Sequence, residues 1–462
     1  MSAPTTHRSA EEIGRTGPGP RPLPELGEQR ATADLSSVDT VLANGLRVIA
    51  VRRSSVPLVE VRLRVPFADP AASSAGSAHA ARAEVLASTV LTGTATRSRV
   101  DVDTELALVG GELDAVVDPE RLALSGNALV TGLDTVLDVL RDVLTGATYP
   151  AEEVERERAR LVERIRLARS QPSVIAREAL QRHLYGDHPF AKEMPEAEEV
   201  AAVTRDEVLA LHAAAVLPRG SVLVVVGDLE PDAAVRAVEG ALGGWTGEGS
   251  AVSLSPLPVV RGGDVLLVHR PGAVQSQIRL AGRGVVRTDP RYPALQIANL
   301  VFGGFFSSRL VENIREDKGY TYSARSHPEF TPGGASLLVD ADTASEVTAA
   351  ALLETRYELG RLALVPPTED EVGTARRYAV GSLLTATSSQ GGLASFLVGL
   401  AGLGLGLEWF TGHPERLAAV TVEQVAEAAL EFFAPSAFTG VLVGDAELLA
   451  PQLRALGGVA LP

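Results

Sequence analysis

Cysteine is absent from this chain of 462 residues, which excludes disulfides, thiolate metal sites, iron–sulfur clusters and Cys nucleophiles. Any metal would have to be held by histidine and carboxylate side chains. Aromatic residues are scarce at 4%, while Ala, Val, Leu and Gly dominate the apolar residues, so the cores should be aliphatic. Positive charge is also short: 42 basic against 58 acidic side chains leave a net charge of -16, which repels phosphate backbones and anionic lipid. Nucleic acid and membrane surfaces are therefore not expected as partners, whereas basic or neutral peptides are compatible. Residues 1–35 lack the apolar stretch of a secretory signal and read as a disordered, Pro/Gly-rich tail. One long uncharged stretch runs from Tyr378 to Leu407, but TATSSQGG interrupts it at 385–392. Two buried helices joined by a polar turn are expected there rather than a membrane span. With no signal, span or disulfide, the expected location is the cytoplasm.

What is present is a chain that repeats itself. VTRDEVLALHAAAVLPRGSVLVVVGD, from Val203, matches VTVEQVAEAALEFFAPSAFTGVLVGD, from Val420, with Val-Thr, Pro218/Pro435 and Val-Gly-Asp aligned at one offset of 217 residues. The same offset carries Pro150 onto Pro367, and each opens an acidic helix start. Four landmarks at one offset indicate a duplicated unit of about 200 residues. Within the unit, VDTVLANGLRVIAVRR and VPLVEVRLRVPFAD read as strands, with Asn44-Gly45 as a turn. Helical runs follow, among them DTVLDVLRDVLTG and EEVERERARLVERIRLARS, the latter a charged face with internal ion pairs. The unit closes on a helix and the buried strand SVLVVVGD. Strands first and last with helices between predict an α+β fold: two homologous domains, each a mainly antiparallel sheet covered by helices, facing each other across a cavity. The expected boundaries are a tail at 1–35, a first domain at 36–245, a linker at 246–263 and a second domain at 264–462.

The sharpest motif is FGGFFSSRLVENIREDKGYTYSARS at 302–326. With LANGLRVIAV near the start, HPF at 188–190 and the paired VGD strands, it resembles the pitrilysin/insulinase family of zinc peptidases, in particular subunits like those of mitochondrial processing peptidase. The resemblance covers roughly residues 36–450. It implies a first domain with His-x-x-Glu-His on a helix, where two imidazoles one turn apart hold zinc and the Glu activates water. A distal Glu supplies the third ligand. The family pattern ends in Gly-Thr, which aligns with LTGT here and places Glu84, Val85, Leu86, Ala87 and Ser88 in the motif's five positions. None of the three functional positions is kept. The eight histidines stand at 7, 79, 183, 188, 212, 269, 327 and 413, no two of them four apart. At the distal position stands Arg164, which would repel a cation. His79 and Glu84 are accordingly expected as solvent-facing residues on a surface helix.

The second-half signature is kept. The resemblance makes Arg315 and Tyr322 a pair that reaches bound substrate, with Tyr320 as an alternative by register. A guanidinium and a phenol suit this work because both donate hydrogen bonds without needing deprotonation. The competing structural reading pairs Arg315 with Glu312 or Glu316 and packs the Tyr322 ring. Gly303-Gly304 is either a helix-end turn or a flexible loop touching substrate, and His188-Pro189-Phe190 reads as a structural turn. The resemblance thus implies a non-catalytic, substrate-binding subunit of a heterodimeric zinc metallopeptidase, with no metal in this chain and zinc on a homologous partner subunit. The alternatives are a structural pseudopeptidase within a larger assembly and a peptide-binding chaperone.

Overall fold

The structure is a computed structural model that describes residues 35–69, 78–249, 252–331 and 333–461. The expected tail therefore lies outside the described residues, Leu35 excepted. The first half contains β1 (Ser37–Val41), β2 (Arg47–Arg52), β3 (Leu58–Pro66), α1 (His79–Thr89), α2 (Arg99–Leu108), β4 (Glu112–Val117), β5 (Arg121–Leu129), α3 (Leu133–Gly146), α4 (Ala151–Arg169), α5 (Pro172–Tyr185), α6 (Ala197–Ala202), α7 (Arg205–Ala215), β6 (Val222–Gly227) and α8 (Pro231–Leu242). The second half follows with β7 (Val265–His269), β8 (Gln275–Arg283), α9 (Tyr292–Asn299), α10 (Arg309–Val311), β9 (Thr321–Thr331), β10 (Gly334–Ala344), α11 (Thr348–Leu364), α12 (Glu369–Ala386), α13 (Gln390–Gly402), α14 (Leu407–Ala418), α15 (Val422–Phe432), β11 (Thr439–Gly444), α16 (Ala446–Leu456) and β12 (Val459–Ala460). Each unit thus runs on past its Val-Gly-Asp strand into a further helix, α8 or α16.

The two sheets share one plan. Their orders are β1-β2-β6-β3-β5-β4 and β12-β7-β11-β8-β10-β9. In each, two inner strands, β2 with β6 and β7 with β11, pair in parallel, and the run from there to β4 or β9 is antiparallel. At the far edge β1 and β12 occupy the same place, one from the start of the chain and one from its end.

Every residue of β6 and β11 is buried, because both faces of each sheet are covered. Alternate side chains point to opposite faces: Val48, Ala50, Leu223 and Val225 enter the first half's main core, while Ile49, Val51, Val222, Val224 and Val226 face the other way. That second face is covered by Leu393, Ala394, Leu397 and Leu400 of α13, a helix of the other half. The relation is reciprocal: α5, from the first half, lays Ala176 and Leu180 on Ala281, Val441 and Val443 of the second sheet. The 217-residue offset carries Tyr185, the last residue of α5, onto Gly402, the last of α13. The duplicated units therefore exchange equivalent helices. Polar contacts fix the exchange: Gln390 donates through Nε2 to the carbonyls of Arg53 (2.6 Å), Val56 (3.0 Å) and Leu58 (3.2 Å), and His183 bonds Thr439 (2.8 Å).

The connecting segment has no regular secondary structure from 252 to 264, yet Leu254 and Leu257 are buried against Ala68, Tyr185, Phe190 and Ala191. His188-Pro189-Phe190 turns as expected: His188 Nδ1 accepts from the Phe190 amide (3.2 Å), and its Nε2 donates to the Ser255 carbonyl (3.0 Å). The uncharged stretch folds as the end of α12, a turn and α13, which meets α14 at 100°. Among the described residues one helical run, Tyr292–Asp317, is long and apolar enough to cross a membrane by composition, and 72% of its apolar window is buried inside the fold.

Candidate functional site

Two surfaces carry the residues singled out by sequence. The first is a cavity of about 670 Å³ walled by α1, α2, α4 and the edge strand β4. Glu84, Ala87 and Ser88 project into it from α1, and Arg164 from α4. These four positions therefore line one cavity. Arg99 ties α2 to α4 at its wall through Glu153 (3.0 Å) and Glu157 (2.8 Å).

The cavity's chemistry does not suit zinc. Of the three motif positions only Glu84 offers a metal-binding group, since Ala87 offers none and the Ser88 hydroxyl donates to the Glu84 carbonyl (2.8 Å). Burial raises the pKa of Glu84, and the Arg164 charge opposes that rise without cancelling it. No group of three or more His, Asp or Glu side chains able to hold a metal occurs among the described residues. Several histidines are instead bound into the fold. His212 takes the Tyr149 hydroxyl (2.6 Å) and meets the Leu144 carbonyl (3.0 Å), while His413 meets Gln296 (3.0 Å) and stacks on Trp409.

The expectation that His79 and Glu84 face solvent is corrected here. His79 is buried, with Nε2 donating to the Phe67 carbonyl (2.9 Å) and its ring against Phe67. Burial depresses its pKa more than nearby Asp69 raises it. Seven of the eleven α1 residues are buried, because α1 packs between α4, α7 and β4. Small Ala side chains on three of those positions allow the close approach but give a weak apolar pattern.

The second surface is built on the 302–326 motif. After α9 the chain makes a π-helical turn at Leu300–Gly304, and a second at Glu312–Asp317 directly after α10. A side chain on Gly303 would stand 2.9 Å from Ser326 Oγ. Gly303-Gly304 is therefore a packed helix-end turn. Two charged anchors hold the segment. Buried Arg309 makes a bidentate pair with Glu371 of α12 (2.6 and 2.9 Å) and donates to the Val365 carbonyl (3.2 Å). Asn313 donates to Glu358 (2.7 Å) and Glu354 (3.2 Å) of α11.

This scaffold presents Arg315 and Tyr322 together. Tyr322 is 93% exposed. It is the unpaired residue of a β-bulge, since Ser323 pairs with Asp342 and Thr321 with Thr343, leaving Tyr322 without a partner on β10. The Thr321 hydroxyl fixes the bulge by donating to the Asp342 carbonyl (2.6 Å). Arg315 lies 4.8 Å from the Phe306 ring centre and 6.0 Å from that of Tyr322, with Nε 3.3 Å from Glu316. The structure thus shows the Arg315–Glu316 pair but no packed Tyr322 ring; Tyr320, the alternative, is partly buried against the core. Sequence reasoning did not single out Phe306, which is 59% exposed beside Arg315. Its aromatic neighbour Phe305 instead packs on Tyr378, a difference the Phe-Phe doublet does not reveal. Neither Arg315 nor Tyr322 lines the α1–α4 cavity.

Comparison with known proteins agrees with this architecture. Residues 75–197 match the profile described as Insulinase (Peptidase family M16), and residues 202–378 that of the Peptidase M16 inactive domain. The chain belongs to the M16 family. Similar M16 relatives include an uncharacterized zinc protease of Mycobacterium tuberculosis, 28% identical over 447 residues that cover 94% of this chain and 100% of that one. Another, from Streptomyces coelicolor, is 27% identical over 363 residues, covering 77% of this chain and 78% of the relative. Among solved structures, a protease from Helicobacter pylori superposes with a TM-score of 0.81 at 17% identity, covering 89% of this chain and 99% of its own. A peptidase M16 inactive domain from Pseudomonas fluorescens gives 0.77 at 22% identity, covering 89% and 98%. These likenesses establish the M16 two-domain α+β fold. On that fold, this chain carries none of the zinc-binding or water-activating residues of the His-x-x-Glu-His motif.

Proposed function

We propose that this chain is a non-catalytic M16 subunit that binds peptide for a zinc-bearing homologue, presenting Arg315 and Tyr322 to substrate held at the partner's zinc. The observation that carries the reading is the contrast between the two surfaces. The α1 helix has lost its ligand set, whereas Arg315 and Tyr322 stand together on an anchored, bulged segment. An exposed tyrosine pushed out by a bulge contributes nothing to the core; bulges recur where a side chain is re-aimed towards a site. With Phe306 the pair forms an aromatic–guanidinium surface, the residue types that dominate binding hot spots. Zinc is assigned to the partner, and no chemical step is assigned to this chain.

The test begins with the tagged chain purified from its host. A co-purifying homologue with the intact motif, about one zinc per pair, and cleavage only in the complex are the expected results. Replacing Arg315→Ala in that complex should lower cleavage on the order of 100-fold, as for loss of a preorganised donor to a developing charge, with zinc content unchanged. Unchanged cleavage would remove the role.

A second reading is favoured by one observation. The 670 Å³ cavity is still open beside β4, which pairs only with β5 among the described residues. An extended peptide could add to that edge, so the chain would bind peptides without cutting them. Tight peptide binding by the chain alone, with no co-purifying homologue, would select this reading over the first.

A further inference from the structure

Among the described residues Phe306 belongs to no hydrophobic core. Its neighbour Phe305 packs against the second half's core and stacks on Tyr378 at 5.0 Å, whereas Phe306 projects outward and stays 59% exposed. The turn that projects it is pinned on both sides. The Ser308 amide donates to the Phe305 carbonyl (3.2 Å), the Glu312 amide donates to the Ser308 carbonyl (2.9 Å), and Arg309 is locked to Glu371. The exposed ring is thus a fixed feature of the fold, and what it meets is the Arg315 guanidinium, 4.8 Å from its centre. We infer that Phe306 is the positioning residue of the Arg315 contact: its ring holds the guanidinium beside Tyr322, so that the terminal nitrogens meet bound peptide already oriented. The inference rests on the peptide-binding role proposed for Arg315 and names the residue that sets it up.

The other contacts of that guanidinium do not fix it. Arg315 lies in the π-helical turn Glu312–Asp317, and its Nε stands 3.3 Å from Glu316, the next residue along the turn. Side chains adjacent in a helical turn diverge, and an ion pair with a carboxylate that is itself 47% exposed is weak. Among the described residues the guanidinium donates no hydrogen bond to a protein acceptor. Glu312 and Asp317, both exposed on the same turn, offer competing ion pairs, so charge alone would leave a long flexible side chain several poses. The phenyl ring takes no part in that competition. It attracts a guanidinium to its face through the ring quadrupole, and because it accepts no hydrogen bond in the ordinary sense it leaves the N–H donors available. The Tyr322 ring, at 6.0 Å, adds a weaker attraction at the limit of that range. A carboxylate at position 306 would orient Arg315 as well, but it would occupy the donors that a peptide carbonyl needs.

The experiment uses the complex purified through the tagged chain, with fluorescein-labelled β-casein as the probe, and the full chain alone for NMR. Phe306→Leu keeps apolar bulk and removes the π face, whereas Phe306→Tyr keeps the face. Phe306→Leu should lower kcat/KM about two- to five-fold, as for loss of an exposed cation–π contact, in whichever of kcat or KM Arg315→Ala changes. Phe306→Tyr should retain wild-type cleavage. In an Arg315→Ala background Phe306→Leu should cost nothing further, because the ring acts only through Arg315. In the chain alone the Arg315 Nε–H resonance, assigned by its disappearance in Arg315→Lys, should carry a ring-current shift in the wild type and in Phe306→Tyr and lose it in Phe306→Leu. A resonance unmoved by Phe306→Leu, or a cleavage loss equal in both backgrounds, overturns the inference. Cleavage lowered by Arg315→Ala but unchanged by Phe306→Leu overturns it too and leaves the subunit reading intact. No co-purifying homologue, or cleavage unchanged by Arg315→Ala, overturns the subunit reading and the positioning role with it.

Discussion

The Arg309–Glu371 pair permits a quantitative test of what holds the Arg315 segment in place. Replacing Glu371→Gln keeps the shape and removes the charge. Arg309, 7% exposed, would then face a neutral amide and the Val365 carbonyl. The paired guanidinium and the Thr368 cap bring the Glu371 carboxyl down from 4.5 to about 2. That preference for the charged form corresponds to about 3 kcal/mol, since one pH unit equals 1.36 kcal/mol. The Glu371 side chain keeps 31% exposure, so solvent screening reduces the expected loss to about 2 kcal/mol. The sign follows from linkage: a carboxylate with a depressed folded pKa stabilises above its unfolded pKa and loses that contribution as pH falls through its folded one. Urea unfolding of wild type and variant should therefore differ by about 2 kcal/mol at pH 7, with the gap closing as pH drops from 4.5 towards 2. A gap below about 0.5 kcal/mol at pH 7, the scatter of ordinary surface substitutions, or one independent of pH, would refute the argument.

Two further outcomes follow from the same geometry. Residues 36–245 expressed alone should be insoluble or molten, because Ile49, Val51, Val222, Val224 and Val226 lose the cover of α13, whose three buried leucines contribute roughly 1.5–3 kcal/mol each; co-expression with 246–462 should restore soluble protein, and a stable isolated first half would contradict the exchange. Installing Glu84→His, Ala87→Glu and Ser88→His should not give stoichiometric zinc by mass spectrometry until Arg164→Glu is added, since Arg164 shares their cavity; zinc bound by the triple variant alone would show that Arg164 stands clear of the site.

Legibility from sequence divides along a physical line. The duplication was readable because its landmarks are turn and cap residues, Pro150/Pro367 and the two Val-Gly-Asp strands, whose backbone demands are local. The departure from the His-x-x-Glu-His pattern is legible for a similar reason, since a ligand set is defined by residue type at helical spacing; that Arg164 shares a cavity with Glu84 and Ser88 is seen only in the fold. What escaped depends on contacts between distant parts of the chain. The bulge at Tyr322 exists only in the register of β9 against β10, and no residue of GYTYS announces it. The burial of His79 is hidden from the sequence because α1 packs through alanines, whose apolar signal is weak.

The helix exchange shows the limit most clearly. Strands β6 and β11 are apolar at nearly every position, which says that both faces are covered without saying by what. Two equivalent sheets and two equivalent helices allow each helix to lie on its own sheet or on the other, and apolar contact is non-directional. Polar contacts break the tie. The Gln390 amide reaches three carbonyls of the first half, and His183 finds Thr439 in the second. Burial supplies most of the energy of the exchange, and these few hydrogen bonds supply its address. The same crossing places α5 over β8, β9 and β10 and encloses a cavity of about 310 Å³ between them, with Ser323, the neighbour of Tyr322, in its wall. A duplicated chain with each helix on its own sheet would keep both cores and lose that cavity.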